Sequence, residues 1–507
     1  MCGDYKIISK LGWGHFSTVW KVVNTKRNPD KFYALKIMKS NEKYAEAAHD
    51  EIEVLKLITK NDPQNNNFCT HIIDSFTIKG PNGIRKYSQS IIQSKKNSII
   101  QFFVYILFLY FDIFVFLYFD IFVFLDPCMV FEVLGSNLLD LIKVYHYRGF
   151  SIPAVKFITY QVLVALDFLH AKNRLIHTDL KPENVFMYNK VSPELYTDIL
   201  EQDKKKKKAE LPKKESPPPP PPPPPSSSSS TTTKTDKKEG EEKQKSENKP
   251  IEETKSENKP IEESKGINKP IEETKGDDKS TTTTTEKPSE EPKGDDKTTT
   301  TITEKPVEDD KQPVFPPLMY KGVNLSLYRV KLGDFGNAAW VDKRYGDDIQ
   351  TREYRCPEVI LGSPWGTPVD IWSLGCMVFE LLTGDFLFNP KTGQGYSKED
   401  DHLAQIVELL GDIPRKVKFS GVDSRKFFNN DGSFRRIRKD DIRFWGLKDV
   451  LREKYKFTAA ESKSIAAFIN DTLIYDPYQR KNARQLLNHP WLAEIANFLK
   501  THPLPSN

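Results

Sequence analysis

Cysteine is scarce in this 507-residue chain: Cys2, Cys69, Cys128, Cys356 and Cys376 are scattered and odd in number. They form no CxxC pair, which suits a reducing compartment and excludes a disulfide frame or a paired-thiolate zinc site. Net charge is nearly absent too. The 75 basic and 70 acidic residues almost cancel, so charge balance alone does not argue for a nucleic-acid binder. The opening MCGDYKIISK lacks the apolar core of a signal peptide, and Cys2 stands where myristoylation needs glycine. An intracellular protein is expected.

Two stretches do not read as folded domain. From about Lys190 to Gln312 the composition collapses into Lys204–Lys208, Pro217–Pro225 and Ser226–Ser230, each a single residue type. KSENKPIEET (245–254) recurs twice with small changes, and KGDDKSTTTTTEKP (275–288) returns at 293–306. Such units hold too few isoleucines to build a repeat core. They cannot offset an ordering cost of roughly 1–2 kcal/mol per residue, so disorder is expected. The polyproline run reads as a stiff spacer, with an SH3-type ligand as the alternative.

The other stretch is Ile99–Leu125, long and apolar enough for a membrane span, with LYFDIFVF occurring twice. Its flanks, HIIDSFTIKGPNG and CMVFEVLG, look like two neighbouring strands that a few residues should connect. A span there would put Lys36 and Asp179 on opposite sides of a bilayer. Residues 84–127 therefore read as an anomalous insertion: a retained intron or other gene-model error, or a genuine hydrophobic loop. Sequencing cDNA across codon 83 decides between these.

Without both stretches about 340 residues remain, enough for two lobes around a cleft. LGWGHFSTVW (11–20) has the pattern of a strand-turn-strand flap whose glycines let backbone N–H groups approach phosphates. Ser17 replaces the usual third glycine, so this motif alone is weak and a plain hairpin turn is its alternative. YALKIM (33–38) is an apolar strand with one lysine, Lys36. EAAHDEIEVLKLI follows at helical period and carries Glu51 beside Ile52, Leu55 and Ile58. In HTDLKPEN (177–184), Asp179 can accept a hydroxyl proton, Lys181 can neutralise a moving phosphoryl group, and Asn184 can bind metal. Asp334 in GDFGNAA supplies a second metal ligand. Together these match the phosphoryl-transfer template of protein kinases, with Lys36 paired to Glu51 and facing the phosphates. Glu358 and Arg480 read as a buried ion pair, and Asp370 as a brace for the catalytic loop.

The chain resembles the SR-protein kinases, which phosphorylate serine/arginine-rich splicing factors. LGWGHFSTVW, the His-Thr-Asp loop, FEVLG, DIQTREYRCPEV, TPVDIWSLGC and LTGDFLFNP carry the likeness. It departs in having Asp-Phe-Gly for Asp-Leu-Gly, Pro357-Glu358 for Leu-Glu, and a spacer alike in composition only. The resemblance implies an α+β bilobal kinase fold: a small β-rich lobe with one main helix, and a larger helical lobe. Residues 5–189 and 318–495 would form it, split by a disordered spacer at 190–317. ATP and Mg2+ are the implied cofactors. The implied nucleotide positions run Leu11, Gly12, Trp13, Gly14, His15, Phe16, Ser17, Thr18 and Val19, then Lys36, Glu51, Glu132 and Leu134. The rival is the LAMMER, or CDC-like, dual-specificity family, whose signature is only partly answered by DDHLAQIVELLG. An inactive pseudokinase that binds SR proteins is the alternative of a different class, should the 84–127 insertion be translated.

Thr178 stands where most such loops carry arginine, and it cannot make a charged fork to a phosphate. The short segment from Asp334 to Glu358 offers only Tyr345, Thr351 and Tyr354 as hydroxyls, so constitutive activity is expected. Asp401, Gln405 and Glu408 recur at i, i+4 and i+7, which puts both acids on one helix face. That face is either solvated surface or, as the resemblance implies with Asp385 and Lys454, a docking groove for arginine-rich substrates. The expected partners are SR splicing factors, engaged by a monomer without direct contact to nucleic acid or membrane. A mixed cytoplasmic and nuclear location is expected, with the spacer governing nuclear entry.

Overall fold

Alternating apolar residues near the start of the chain make three strands: β1 (Tyr5–Trp13), β2 (Ser17–Asn24) and β3 (Asn28–Met38). Helix α1 (Glu42–Asn61) follows and buries Ile52, Leu55 and Ile58 on one face. Strands β4 (Ile72–Lys79) and β5 (Leu125–Glu132) complete a five-stranded sheet in the order β1-β2-β3-β5-β4, antiparallel throughout. This computed structural model describes residues 2–14, 17–39, 42–79, 125–188, 315–343, 346 and 348–504. His15, Phe16, Tyr345, the apolar run at 99–124 and the spacer at 190–312 lie outside that set.

The flanks of the apolar insertion are neighbouring strands, as their sequence suggested. β4 and β5 pair from Ile72↔Phe131 to Lys79↔Leu125. One boundary needs correction: Leu125, Asp126 and Pro127, assigned to the insertion, pair with Lys79, Ile78 and Thr77 and belong to the sheet. A long connection between paired strands costs little more than a short one, since each doubling of loop length adds only about 0.6 kcal/mol.

The larger lobe is helical. Its elements begin with α2 (Leu138–Val144), α3 (Ile152–Asp167), β6 (Leu175–Ile176) and β7 (Val185–Met187). After the spacer come β8 (Val330–Leu332), β9 (Ala339–Trp340), α4 (Pro357–Ile360) and α5 (Pro368–Thr383). Helices α6 (Lys398–Leu410), α7 (Leu447–Glu453), α8 (Ala459–Thr472) and α9 (Pro490–Thr501) follow. β7 and β8 lie on either side of the spacer in sequence, yet they pair directly, Met187 with Val330 and Val185 with Leu332. The rings of Tyr188 and Phe315, which flank the spacer, meet edge-on at 5.6 Å.

Helix α5 is the buried axis of this lobe, with every residue from Val369 to Thr383 in the core. Pro368 starts it and Gly384 ends it at φ 81°. A Cβ at Gly384 would fall 1.9 Å from the Tyr147 carbonyl oxygen, so only glycine fits there. Among the described residues the stretch Ile152–Asn173 is also long and apolar enough to cross a bilayer, and most of it is buried inside the protein. A core helix has that composition. The small sheet-rich lobe with one main helix and the larger helical lobe are the two lobes expected.

Candidate active site

Lys36 is on β3, opposite Val19 of the flap on one side and Met129 of β5 on the other. Its Nζ lies 2.7 and 2.9 Å from the two carboxylate oxygens of Glu51 and 3.4 Å from Asp334 Oδ1. Burial opposes charge on this lysine, but Glu51 and Asp334 outweigh it and hold the ammonium above its ordinary range. The pair read from spacing is formed. In the flap, Gly14 N–H closes the turn onto the Ser17 carbonyl at 2.9 Å. Trp13 is exposed there, with the Lys10 ammonium over its ring. Glu132 ends β5 and pairs with the buried Lys331 ammonium.

The loop between β6 and β7 is pinned from below. Asp370, in the first turn of α5, accepts the N–H groups of His177 and Thr178, each at 2.8 Å, and lies 2.8 Å from His170 Nε2. Burial works against its charge, yet the His170 and His177 contacts prevail and keep its carboxyl below the usual range. Thr178 takes φ 66° and Asp334 φ 60°, conformations rare for side-chain-bearing residues. Such strain costs on the order of 1–3 kcal/mol and persists only where surrounding contacts impose it. At Thr178, Asp370 imposes it, together with the Thr178 hydroxyl, which donates to the Asn337 carbonyl at 2.6 Å.

Above that brace, three side chains close on one another. Lys181 Nζ donates to Asp179 Oδ2 and to Thr351 Oγ1, both at 2.8 Å, and the Thr351 hydroxyl donates to Asp179 Oδ1 at 2.7 Å. Asn184 is buried, with its amide N–H on the Asp179 carbonyl at 2.8 Å. Its own amide oxygen is thereby turned away from Asp179. The Gly333 N–H reaches the Asn184 carbonyl at 2.9 Å, which sets Asp334 beside it. An amide oxygen and a half-exposed carboxylate are hard donors of the kind that hold divalent ions.

Sequence reasoning missed two participants. Thr351 was visible only as a hydroxyl of the segment, and nothing in its neighbourhood shows that it reaches Asp179. Gln350 was not singled out at all. Its buried amide donates to the Val369 carbonyl at 2.9 Å and to Ser373 Oγ at 2.8 Å, and accepts the Cys356 N–H at 3.0 Å. It clamps the segment to α5. Tyr354 is buried, with its hydroxyl 2.5 Å from Glu380. Two of the three segment hydroxyls are therefore already engaged, and the third, Tyr345, is outside the described residues.

The acidic positions lie on the same lobe. Asp401 and Glu408 are on α6, whose Ser397–Asp400 capping box fixes its first turn. Asp401 accepts from the Lys391 N–H at 2.7 Å and from Gln405 at 2.8 Å. Glu408 accepts the Arg443 N–H at 3.1 Å. Asp385 meets the Tyr455 hydroxyl at 2.7 Å and Lys454 Nζ at 3.2 Å, so Lys454 offsets one of the acids. Elsewhere, Glu358 and Arg480 form the buried pair expected, bidentate at 2.7 and 3.0 Å.

The protein kinase domain family matches the chain in two segments, residues 123–196 and 319–492. Serine/threonine-protein kinase SRPK of Physarum polycephalum is 36% identical over 98% of this chain and 87% of its own length. The chain belongs to the SR-protein kinase family. Probable serine/threonine-protein kinase sky1 of Dictyostelium discoideum is 40% identical over 98% of the chain and 79% of its own length. SRSF protein kinase 3 of Homo sapiens is 32% identical, with 97% and 86% covered. This SR-protein kinase family member is accordingly a serine/threonine protein kinase that uses ATP and a divalent metal. These relatives carry SR-kinase names, not those of the LAMMER rival.

Proposed function

We propose that this kinase, with Mg2+ as its metal, phosphorylates serines of arginine/serine-rich splicing factors and is active without phosphorylation of its own activation segment. The carrying observation is the closed trio of Asp179, Lys181 and Thr351, held through hydrogen bonds of Thr178 and Gln350 rather than by an arginine that reads a phosphate. Asp179 takes the proton of the acceptor hydroxyl. Lys181 offsets charge on the phosphoryl group in transfer. Lys36, oriented by Glu51, meets the α- and β-phosphates under the flap Leu11–Val19, and Glu132 and Leu134 complete the nucleotide positions. Asn184 and Asp334 would hold the metal, which when bound draws off negative charge from the phosphates. Phosphatase-treated protein from bacteria is expected to turn over an arginine–serine peptide at its full rate. Activity that appears only after incubation with a second kinase would refute constitutive action.

The acidic positions Asp385, Asp401 and Glu408 support docking of arginines, and the names of the relatives support SR proteins as substrates. Each exposed pair contributes only about 0.2–1 kcal/mol, so several must act together. Docking should weaken steeply with salt. Replacing Asp385, Asp401 and Glu408 together by alanine is expected to raise the KM for a long arginine–serine tract several-fold. Turnover of a short peptide should stay near normal, and equal loss on both would reduce the acidic face to solvated surface. We further propose that the kinase acts as a monomer, without direct contact to nucleic acid or membrane, in both cytoplasm and nucleus. Deleting 190–312 is expected to shift it toward the nucleus, and an unchanged distribution in imaged cells would remove the spacer from that role.

A further inference from the structure

Lys331 is a cation withdrawn from solvent. Its side chain is wholly buried on β8, where the residue pairs with Phe186 of β7. Among the described residues its ion pair is with Glu132, the last residue of β5, which is only partly exposed. Burial holds the ammonium below its ordinary range, against the pull of Glu132. Such a pair is weak grounds for stability, because desolvating two charges can outweigh their attraction. What it does fix is position. On β5, Met129 stands opposite Lys36, and Glu132 follows three residues later, about 10 Å along a strand. On the other stretch, Lys331 precedes Asp334 by three residues. The two stretches are joined at both ends: Lys36 meets Asp334 at 3.4 Å, and Lys331 meets Glu132.

Beyond Glu132 the chain crosses to the larger lobe. There the Gly135 N–H donates to the Met187 carbonyl at 2.8 Å, and the Met187 N–H to the Ser136 carbonyl at 2.9 Å. The crossing is thus held by β7 on its far side and by Lys331 of β8 on its near side. Leu332, the next residue of β8, is itself locked: its N–H is on the Phe68 carbonyl at 2.7 Å, and its carbonyl accepts the Thr70 N–H at 2.8 Å. We propose that Lys331 is a positioning residue for the base of the nucleotide. Through Glu132 it sets where the crossing, residues 133–136, meets the purine, while Lys36 and Asp334 serve the phosphate end. A group held in place by buried neighbours loses little freedom when its ligand arrives, and that saving appears as affinity.

This inference rests on the placement of the nucleotide proposed above, which competition of adenosine with ATP on the unaltered chain tests separately. Lys331→Met keeps most of the side-chain length and removes the charge. It is expected to raise the KM for ATP about tenfold, with kcat changed by less than about twofold. The inhibition constant of adenosine should rise by the same factor, and that of tripolyphosphate, which has no base, should not move. Lys36→Met is the opposite case, expected to weaken tripolyphosphate and to spare adenosine. Glu132→Gln alters the less buried partner and should weaken ATP and adenosine alike by a smaller factor, so the test stands even if the Lys331 variant fails to fold. Equal loss of adenosine and tripolyphosphate, a fall in kcat with KM unchanged, or a normal adenosine constant in either variant overturns the assignment.

Discussion

Asp179→Asn is expected to lower kcat on an arginine–serine peptide by roughly 10²–10⁴-fold, the usual contribution of a positioned general base. The amide keeps most of the shape of the carboxylate, and Lys181, Thr351 and Asn184 still surround it. Folding should therefore survive, and the melting temperature should stay close to that of the unaltered chain. KM should change little, because the docking positions Asp385, Asp401 and Glu408 are outside the catalytic loop. Lys36→Met should act in the same direction, since Glu51 and Asp334 then lose the ammonium between them. Steady-state kinetics check both variants. An Asp179→Asn protein with near-normal turnover would remove Asp179 from the role of base.

The second large effect concerns stability. Arg480 and Glu358 are almost wholly buried, and Arg480 also donates to the Pro368 carbonyl at 2.8 Å and the Ile474 carbonyl at 2.9 Å. Removing one partner leaves a charge in the core without its counter-ion. Arg480→Met alone is expected to cost about 3–5 kcal/mol, against a much smaller loss for Arg480→Met combined with Glu358→Leu. Thermal unfolding should show the single variant melting on the order of 10 °C lower, with the double variant in between. A single variant as stable as the double one would mean that the pair contributes packing and little else.

The phosphoryl-transfer residues were legible because they are local. HTDLKPEN places a base, a lysine and a metal ligand within eight residues, and Lys36 finds Glu51 only fifteen residues on. The strands around the apolar insertion were legible for the same reason, since each has its own alternation whatever separates them. Thr351 and Gln350 were not. Thr351 reaches Asp179 across 172 residues, and the contact depends on how the segment crosses α5. No periodicity or composition encodes that crossing. Thr178 was legible as a departure from the usual arginine, but not the contact it makes, a hydroxyl on the Asn337 carbonyl. Asp385 and Lys454 were singled out through the resemblance, whereas the second partner of Asp385, the Tyr455 hydroxyl 70 residues away, was not.

The central claim is that this chain, as encoded, is a working SR-protein kinase rather than a scaffold with kinase shape. It is tested most directly by following γ-phosphate transfer from labelled ATP to two serine peptides, one alternating with arginine and one with alanine. Transfer to the arginine–serine peptide, abolished by Asp179→Asn and weak on the alanine–serine peptide, is the predicted result. Binding of the arginine–serine peptide with no transfer to it would contradict the claim.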